Sequence, residues 1–163
     1  MPAVRPVDVN SLHLTLRFLG PTPVKQERSL CIALDQSMDQ IGPISLAFKG
    51  LGRFDVDSRR PLRTIFANIV QVKSIGQIAK SLDQNLAALR WLVPAQQAPL
   101  QPHVTLARVK TKPSGALLTF LENHREVDLG ACRIEQVHLI ASELTRSGPV
   151  YHVCYTRQLV ADV

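Results

Sequence analysis

Residues 12–18 read Leu-His-Leu-Thr-Leu-Arg-Phe, and residues 102–107 read Pro-His-Val-Thr-Leu-Ala. Both stretches alternate apolar and polar side chains with a period of two, the pattern of a half-buried strand, and the first stops at Gly20-Pro21. In a strand, residues i and i+2 share a face. His13 with Thr15, and His103 with Thr105, therefore present an imidazole beside a hydroxyl, while Leu14, Leu16, Val104 and Leu106 point into a core. Phe18, by parity with Leu14 and Leu16, is expected in that core too. The two histidines lie far apart in the chain, so only tertiary folding can bring them together.

Working outward, Leu30, Leu34, Met38 and Ile41 recur at helical spacing from Val24 to about Ile41, where Gly42-Pro43 breaks the pattern. Ile44 to Phe54 and Leu62 to Val70 read as strands separated by a turn rich in Asp, Ser and Arg. Ile75, Ile78, Ala79, Leu82, Leu86 and Leu89 form the strongest amphipathic stripe, ended by Pro94 and Pro99. A short helix follows the second His-x-Thr near Ser114 to Leu121. Ile134 to Ala141 and Tyr151 to Tyr155 close the chain as strands, split by Ser147-Gly148-Pro149. Strands and helices mixed in this order predict an α+β architecture, read as a single domain over residues 1–163; no internal repeat or low-complexity tract interrupts it.

Bulk properties narrow the possibilities. The 163 residues are 45% hydrophobic, enough for a packed core without staples. Cys31, Cys132 and Cys154 are odd in number and widely spaced, which fits neither a disulfide framework nor a CxxC metal site. They are expected as buried thiols in a reducing cytoplasm. No apolar run is long enough for a membrane span, and residues 1–10 lack the apolar stretch of a signal peptide. A net charge of +6 with pI ≈ 9.7 favours an anionic partner, since a basic surface concentrates phosphate-bearing ligands.

Two His-Thr pairs brought together suit one chemistry. Opening a cyclic phosphodiester by hydrolysis needs a base for the attacking water and an acid for the departing oxygen, and histidine titrates where both forms exist near neutral pH. Threonine hydroxyls donate to phosphate oxygens, and an arginine offsets charge at phosphorus. No metal or cofactor is required. A lone His-x-Thr on a strand is ordinarily a satisfied structural pair. Its repetition, each time as His-apolar-Thr-Leu followed by an arginine, Arg17 or Arg108, shifts the balance toward a site.

HLTLRFLG at 13–20 and PHVTLARVK at 102–110 resemble the two signatures of the two-histidine phosphoesterase superfamily, in particular the RNA 2′,3′-cyclic phosphodiesterases once called 2′-5′ RNA ligases. Arg5-Pro6-Val7 and Asn10-Ser11-Leu12 resemble the family's lead-in, and Ser142-Glu143-Leu144 with Gly148-Pro149-Val150-Tyr151 resemble its C-terminal hairpin. The likeness runs from about Arg5 to about Leu159. It implies a bilobal fold of two pseudo-symmetric lobes, antiparallel strands with helices on the outer faces, one motif per lobe and a cleft between. It also implies a cytoplasmic monomer acting on RNA that ends in a 2′,3′-cyclic phosphate, yielding a 2′-phosphate without metal or cofactor.

By the same resemblance His103 is the proton acceptor and His13 the proton donor, although the sequence does not distinguish this from the reverse. Thr15, Thr105 and Arg108 would bind phosphate. Strict alternation aims Arg108 away from His103, so its role requires a strand irregularity. Arg17 keeps parity with His13 and could touch RNA or be a solvated charge; Tyr151 could stack on a base or simply be packed. His124, His138 and His152 read as structural or surface residues. Family members usually carry an additional strand and helix ahead of the first motif, which this chain lacks. Either Met1 is internal to a longer reading frame, or the domain is short.

Other functions fit the same residues. A different cyclic phosphate, ADP-ribose 1″,2″-cyclic phosphate or a cyclic nucleotide, would use the motifs equally well. A non-catalytic RNA or nucleotide binder would need only the basic surface. Zinc is disfavoured because no carboxylate or cysteine stands at ligand spacing from either histidine.

Overall fold

In the computed structural model, residues 4–54, 62–89, 91, 101–145 and 148–160 are described. The prolines expected to end the second helix, and Ser147, lie outside them. Within the described residues, seven strands and three helices run in the order β1 (Val4–Pro6), α1 (Glu27–Ser37), β2 (Ile44–Arg53), β3 (Thr64–Ile69), α2 (Val72–Ala87), β4 (His103–Val109), α3 (Gly115–Asn123), β5 (Asp128–Ile134), β6 (Gln136–Thr145) and β7 (Gly148–Gln158). Short 3₁₀ turns occupy Val9–Ser11 and Val24–Gln26. The architecture is α+β, as the sequence predicts. The chain divides into two compact units.

The first unit takes the chain up to Leu16, then Leu46–Val72, then the segment through Cys132. It holds a five-stranded sheet in the order β1-β4-β3-β2-β5, with β4 paired antiparallel to β1 and to β3. One face packs against α3: Leu62, Ile65, Ala107, Val109 and Leu121 are buried together, with Val4, Leu51, Leu117 and Leu118 against them. The Ser114 hydroxyl caps α3 by accepting from the Leu117 amide.

Gly50 is where this sheet cannot accept a side chain. Its φ of +78° suits glycine, and a Cβ there would fall 1.7 Å from the Arg125 carbonyl oxygen. The Gly50 amide donates to Val127 and the Leu51 amide to His124, so the turn after α3 is tied to the β2 edge.

The second unit takes Arg17–Ser45, the segment from Lys73 onward that contains most of α2, and the chain from Arg133. Leu30, Ala33, Leu34 and Ser37 of α1, and Ile75, Ile78, Ala79, Leu82 and Leu86 of α2, are the buried stripes. The Ser81 hydroxyl donates to the Ser37 carbonyl at 3.1 Å. Strands β6 and β7 form a two-stranded hairpin. Tyr155 reaches α1, its hydroxyl 2.9 Å from both carboxylate oxygens of Asp35. That bond favours the neutral phenol and raises the Tyr155 pKa above its ordinary value.

Several expectations are corrected. Residues 12–18 do not form a strand: only Leu14 pairs, through one antiparallel bridge to Val104. The 3₁₀ turn at Val9–Ser11, capped by the Asp8 carboxylate, takes the chain off the β4 edge after Val7, and it rejoins for one residue. Alternation therefore does not persist, and Phe18 is 57% exposed rather than in the core. The cysteines are not buried thiols: Cys132 and Cys154 are exposed and Cys31 is half-buried. Cys154 falls at the register shift of the hairpin, where Leu139 pairs with Tyr155 but Ile140 with Val153. Strands β1 and β5 carried no sequence signal, the one being three residues with a proline and the other interrupted by Gly130 at φ +84°.

Candidate active site

Both His-x-Thr motifs lie in the first unit and meet on β4. An antiparallel bridge between Leu14 and Val104 sets His13 across from Thr105 and Thr15 across from His103. Leu14 and Val104 occupy the face toward α3, so the four polar side chains flanking them project to the other face. The result is a local two-fold arrangement of two imidazoles and two hydroxyls.

The tautomer anchors repeat the symmetry. His13 Nδ1 lies 2.8 Å from the Ser11 carbonyl oxygen, and His103 Nδ1 lies 2.8 Å from the Gln101 carbonyl oxygen. A carbonyl only accepts, so each Nδ1 carries a proton and each Nε2 is the ring nitrogen on the side away from that carbonyl.

The surroundings differ. His103 makes an edge contact with Phe54 at 4.8 Å and a tilted one with Phe66 at 5.0 Å, and the two phenylalanine rings are themselves 4.6 Å apart. Phe66 is 1% exposed and pairs with Gly52, where a Cβ would fall 2.1 Å from its ring. The missing side chain at Gly52 is thus what lets the ring lie beside His103. Asn68, the cross-strand partner of His103, donates through its side chain to the Gly50 carbonyl at 3.2 Å. Thr64, Phe66 and Asn68 alternate along β3 on the site face. Their spacing could have grouped them from the sequence, but nothing there says which face meets the histidines.

Arg108 reaches the site face through the irregularity its role required. Phe66 pairs with Thr105 but Ile65 with Ala107, so Leu106 is an extra residue on β4, a bulge that reverses the parity beyond it. Ala107 and Val109 turn into the core with Ile65, and Arg108 joins His103 and Thr105. Its guanidinium donates to the buried Thr64 hydroxyl at 3.0 Å.

The remaining candidates lie in the second unit. Arg17 is paired with Asp83 of α2, its side chain 12% exposed. Tyr151 is on β7 opposite Ser142, 38% exposed. His138 Nδ1 lies 2.9 Å from the Thr156 hydroxyl. In the first unit, His124 stacks on Phe120 at 4.1 Å. Among the described residues no helix is long and apolar enough to cross a membrane.

Nearly the whole chain matches a known family. The family described as AKAP7 2′5′ RNA ligase-like domain matches residues 6–159. The chain is 30% identical over 148 residues to an RNA 2′,3′-cyclic phosphodiesterase of Aquifex aeolicus, covering 90% of this chain and 77% of that protein. It is 28% identical over 154 residues to the protein of the same name from Methanocaldococcus jannaschii, covering 94% of this chain and 83% of the other. The crystal structure of TT0787 of Thermus thermophilus superposes with a TM-score of 0.77 at 27% identity, over 99% of this chain and 85% of that one. Apo LigT of E. coli, at 22% identity and a TM-score of 0.70 over 97% of this chain and 81% of that one, shares the fold.

Proposed function

Because the chain belongs to the AKAP7 2′5′ RNA ligase-like domain family, and is a phosphodiesterase of the kind its relatives name, we propose that it hydrolyses RNA 2′,3′-cyclic phosphate ends by metal-independent catalysis at the paired His-x-Thr motifs. The observation that carries this reading is the Leu14–Val104 bridge, which puts both imidazoles and both hydroxyls on one face.

In the reaction, His103 Nε2 accepts a proton from water as the water oxygen bonds to phosphorus. The P–O3′ bond breaks, and the departing oxygen takes the proton carried by His13 Nε2. The products are a 2′-phosphate and a 3′-hydroxyl. Thr15 and Thr105 donate to the non-bridging oxygens, and Arg108, aimed by Thr64, opposes the charge that grows at phosphorus. The carbonyl behind each Nδ1 suits both roles, since it accepts from the Nδ1 proton in imidazole and imidazolium alike.

A cavity of about 310 Å³, lined by Asn68, Gln101 and the Phe66 that packs on His103 among others, has the size of a small-ligand site. Arg53, Glu122, Arg125 and Glu126 also line it, Glu122 being paired with Arg125, a mixed polar wall that can hydrogen-bond a nucleoside. Tyr151 is a candidate stacking face for a base; Arg17, held by Asp83, is left out of RNA binding.

The test is hydrolysis of a cyclic-phosphate-ended oligonucleotide with and without a strong chelator. We expect 2′-phosphate product at equal rates in both; a rate lost to the chelator would remove the metal-independent mechanism. Activity confined to ADP-ribose 1″,2″-cyclic phosphate or cyclic mononucleotides would remove the RNA assignment. A substrate with sulfur in place of the 3′ oxygen leaves without acid help. It should restore turnover to His13→Ala and not to His103→Ala, and the opposite pattern would exchange the two roles.

A further inference from the structure

Arg108 has a second cross-strand neighbour besides Thr64. On the edge strand β1, Arg5 pairs directly with it, between the pairs Val4–Val109 and Pro6–Ala107. Val4 and Val109 pack into the core under α3, so Arg5 and Arg108 share the opposite face, the one that carries the histidines. Both are exposed. Like charges directly opposite one another in an antiparallel pair destabilise it. Here they stand side by side on one face, and the bulge at Leu106 is what places Arg108 there.

We propose that Arg5 binds the phosphodiester that precedes the cyclic end, adding beside Arg108 a second phosphate subsite that selects oligonucleotides over mononucleotides. The inference rests on the functional reading above and deepens it. Arg5 lies one strand spacing, about 4.8 Å, outboard of β4, and Arg108 lies about three residues along β4 from Thr105, on the order of 7–10 Å. An RNA chain whose terminal phosphate sits at the His-Thr pairs would have its next phosphate in that direction. The opposite direction, toward Gln101 and Asn68, leads to the cavity, where Arg125 is already engaged by Glu122 at 3.0 Å. Arg108 serves the reacting phosphate, and Arg5, one strand further out on the same face, is placed to donate to the one before it.

The experiment compares kcat/KM for a cyclic-phosphate-ended decanucleotide with that for a 2′,3′-cyclic mononucleotide, in the wild type, Arg5→Gln and Arg5→Lys. The wild type should prefer the oligonucleotide. Arg5→Gln should cut the ratio of the two constants about tenfold, the worth of one charge-assisted bond, and Arg5→Lys should restore most of it. In a salt titration, Arg5→Gln should lower the slope of binding against salt by about 1. An unchanged ratio, or an equal fall for both substrates, would overturn the proposal. If the wild type turns over neither substrate, the functional reading fails and the subsite is read by fluorescence anisotropy with a labelled decanucleotide ending in a 3′-hydroxyl. Weaker binding by Arg5→Gln then supports the subsite, and equal binding overturns it.

Discussion

The two His-x-Thr segments are close copies in sequence and unlike in structure. His103-Val104-Thr105 lies in β4, paired to β3 on one side along its length and to β1 and Leu14 on the other. His13-Leu14-Thr15 is held by one bridge and by the Nδ1 bond to Ser11. One segment is therefore a frame and the other is seated on it. The same tetrapeptide presents the same side chains in both places, but its rigidity is set by what lies alongside.

The comparison can be broken first at the histidines. Replacing either by alanine should lower kcat by about 10²–10⁴-fold, the usual worth of a general acid or base, and a loss confined to one would end the symmetric reading of the site. Next, Phe66→Ala should cost about 3–5 kcal/mol of stability, as expected for a buried phenylalanine, measured by denaturant unfolding. Because Phe66 packs on His103 and not on the first segment, we expect activity to fall with it.

Leu14→Ala sharpens the contrast from the other side. It should change stability by about 1 kcal/mol or less, since Leu14 is only half-buried, yet lower kcat about tenfold by loosening His13 and Thr15. A large stability loss would mean the first segment is also part of the frame. Amide hydrogen exchange reads the difference without mutation: Val104 to Val109 should be protected and His13, Thr15 and Leu16 should exchange fast.

The smallest effect lies in the second unit, which carries neither motif. The Tyr155 hydroxyl bonded to Asp35 has a raised pKa. Its stabilising contribution is therefore complete below the ordinary tyrosine range and is lost as pH climbs through the raised value. Ultraviolet titration should show the tyrosinate midpoint moving down in Asp35→Asn, with no change in turnover at neutral pH.

How much of this was legible in the chain follows from what each signal depends on. The stripes of α1 and α2 and the period of β3 and β4 are local, and they place those elements to within a few residues. The paired motifs carried the family resemblance, which the match over residues 6–159 bears out. Phe18 was misplaced because alternation was extended beyond the last pairing residue, and strands β1 and β5 were missed because β1 is three residues long and β5 bends at Gly130. Arg108 shows the limit most clearly. Its parity was wrong by one residue, and the bulge at Leu106 that corrects it is a property of β3 and β4 together. The packing of Phe66 over Gly52 is likewise a relation between two strands, invisible in either alone.

The hairpin of β6 and β7 carries a consequence for handling the protein. Leu144 is 86% exposed and Val153 58%, with Val150 and Ile140 near 40%, on a sheet of two strands. At low ionic strength the net charge of +6 keeps copies apart in solution. The high salt customarily used to strip nucleic acid from basic proteins also screens that repulsion, leaving these apolar side chains as the dominant attraction between molecules. The conditions that yield the cleanest preparation are therefore those in which it is most prone to precipitate.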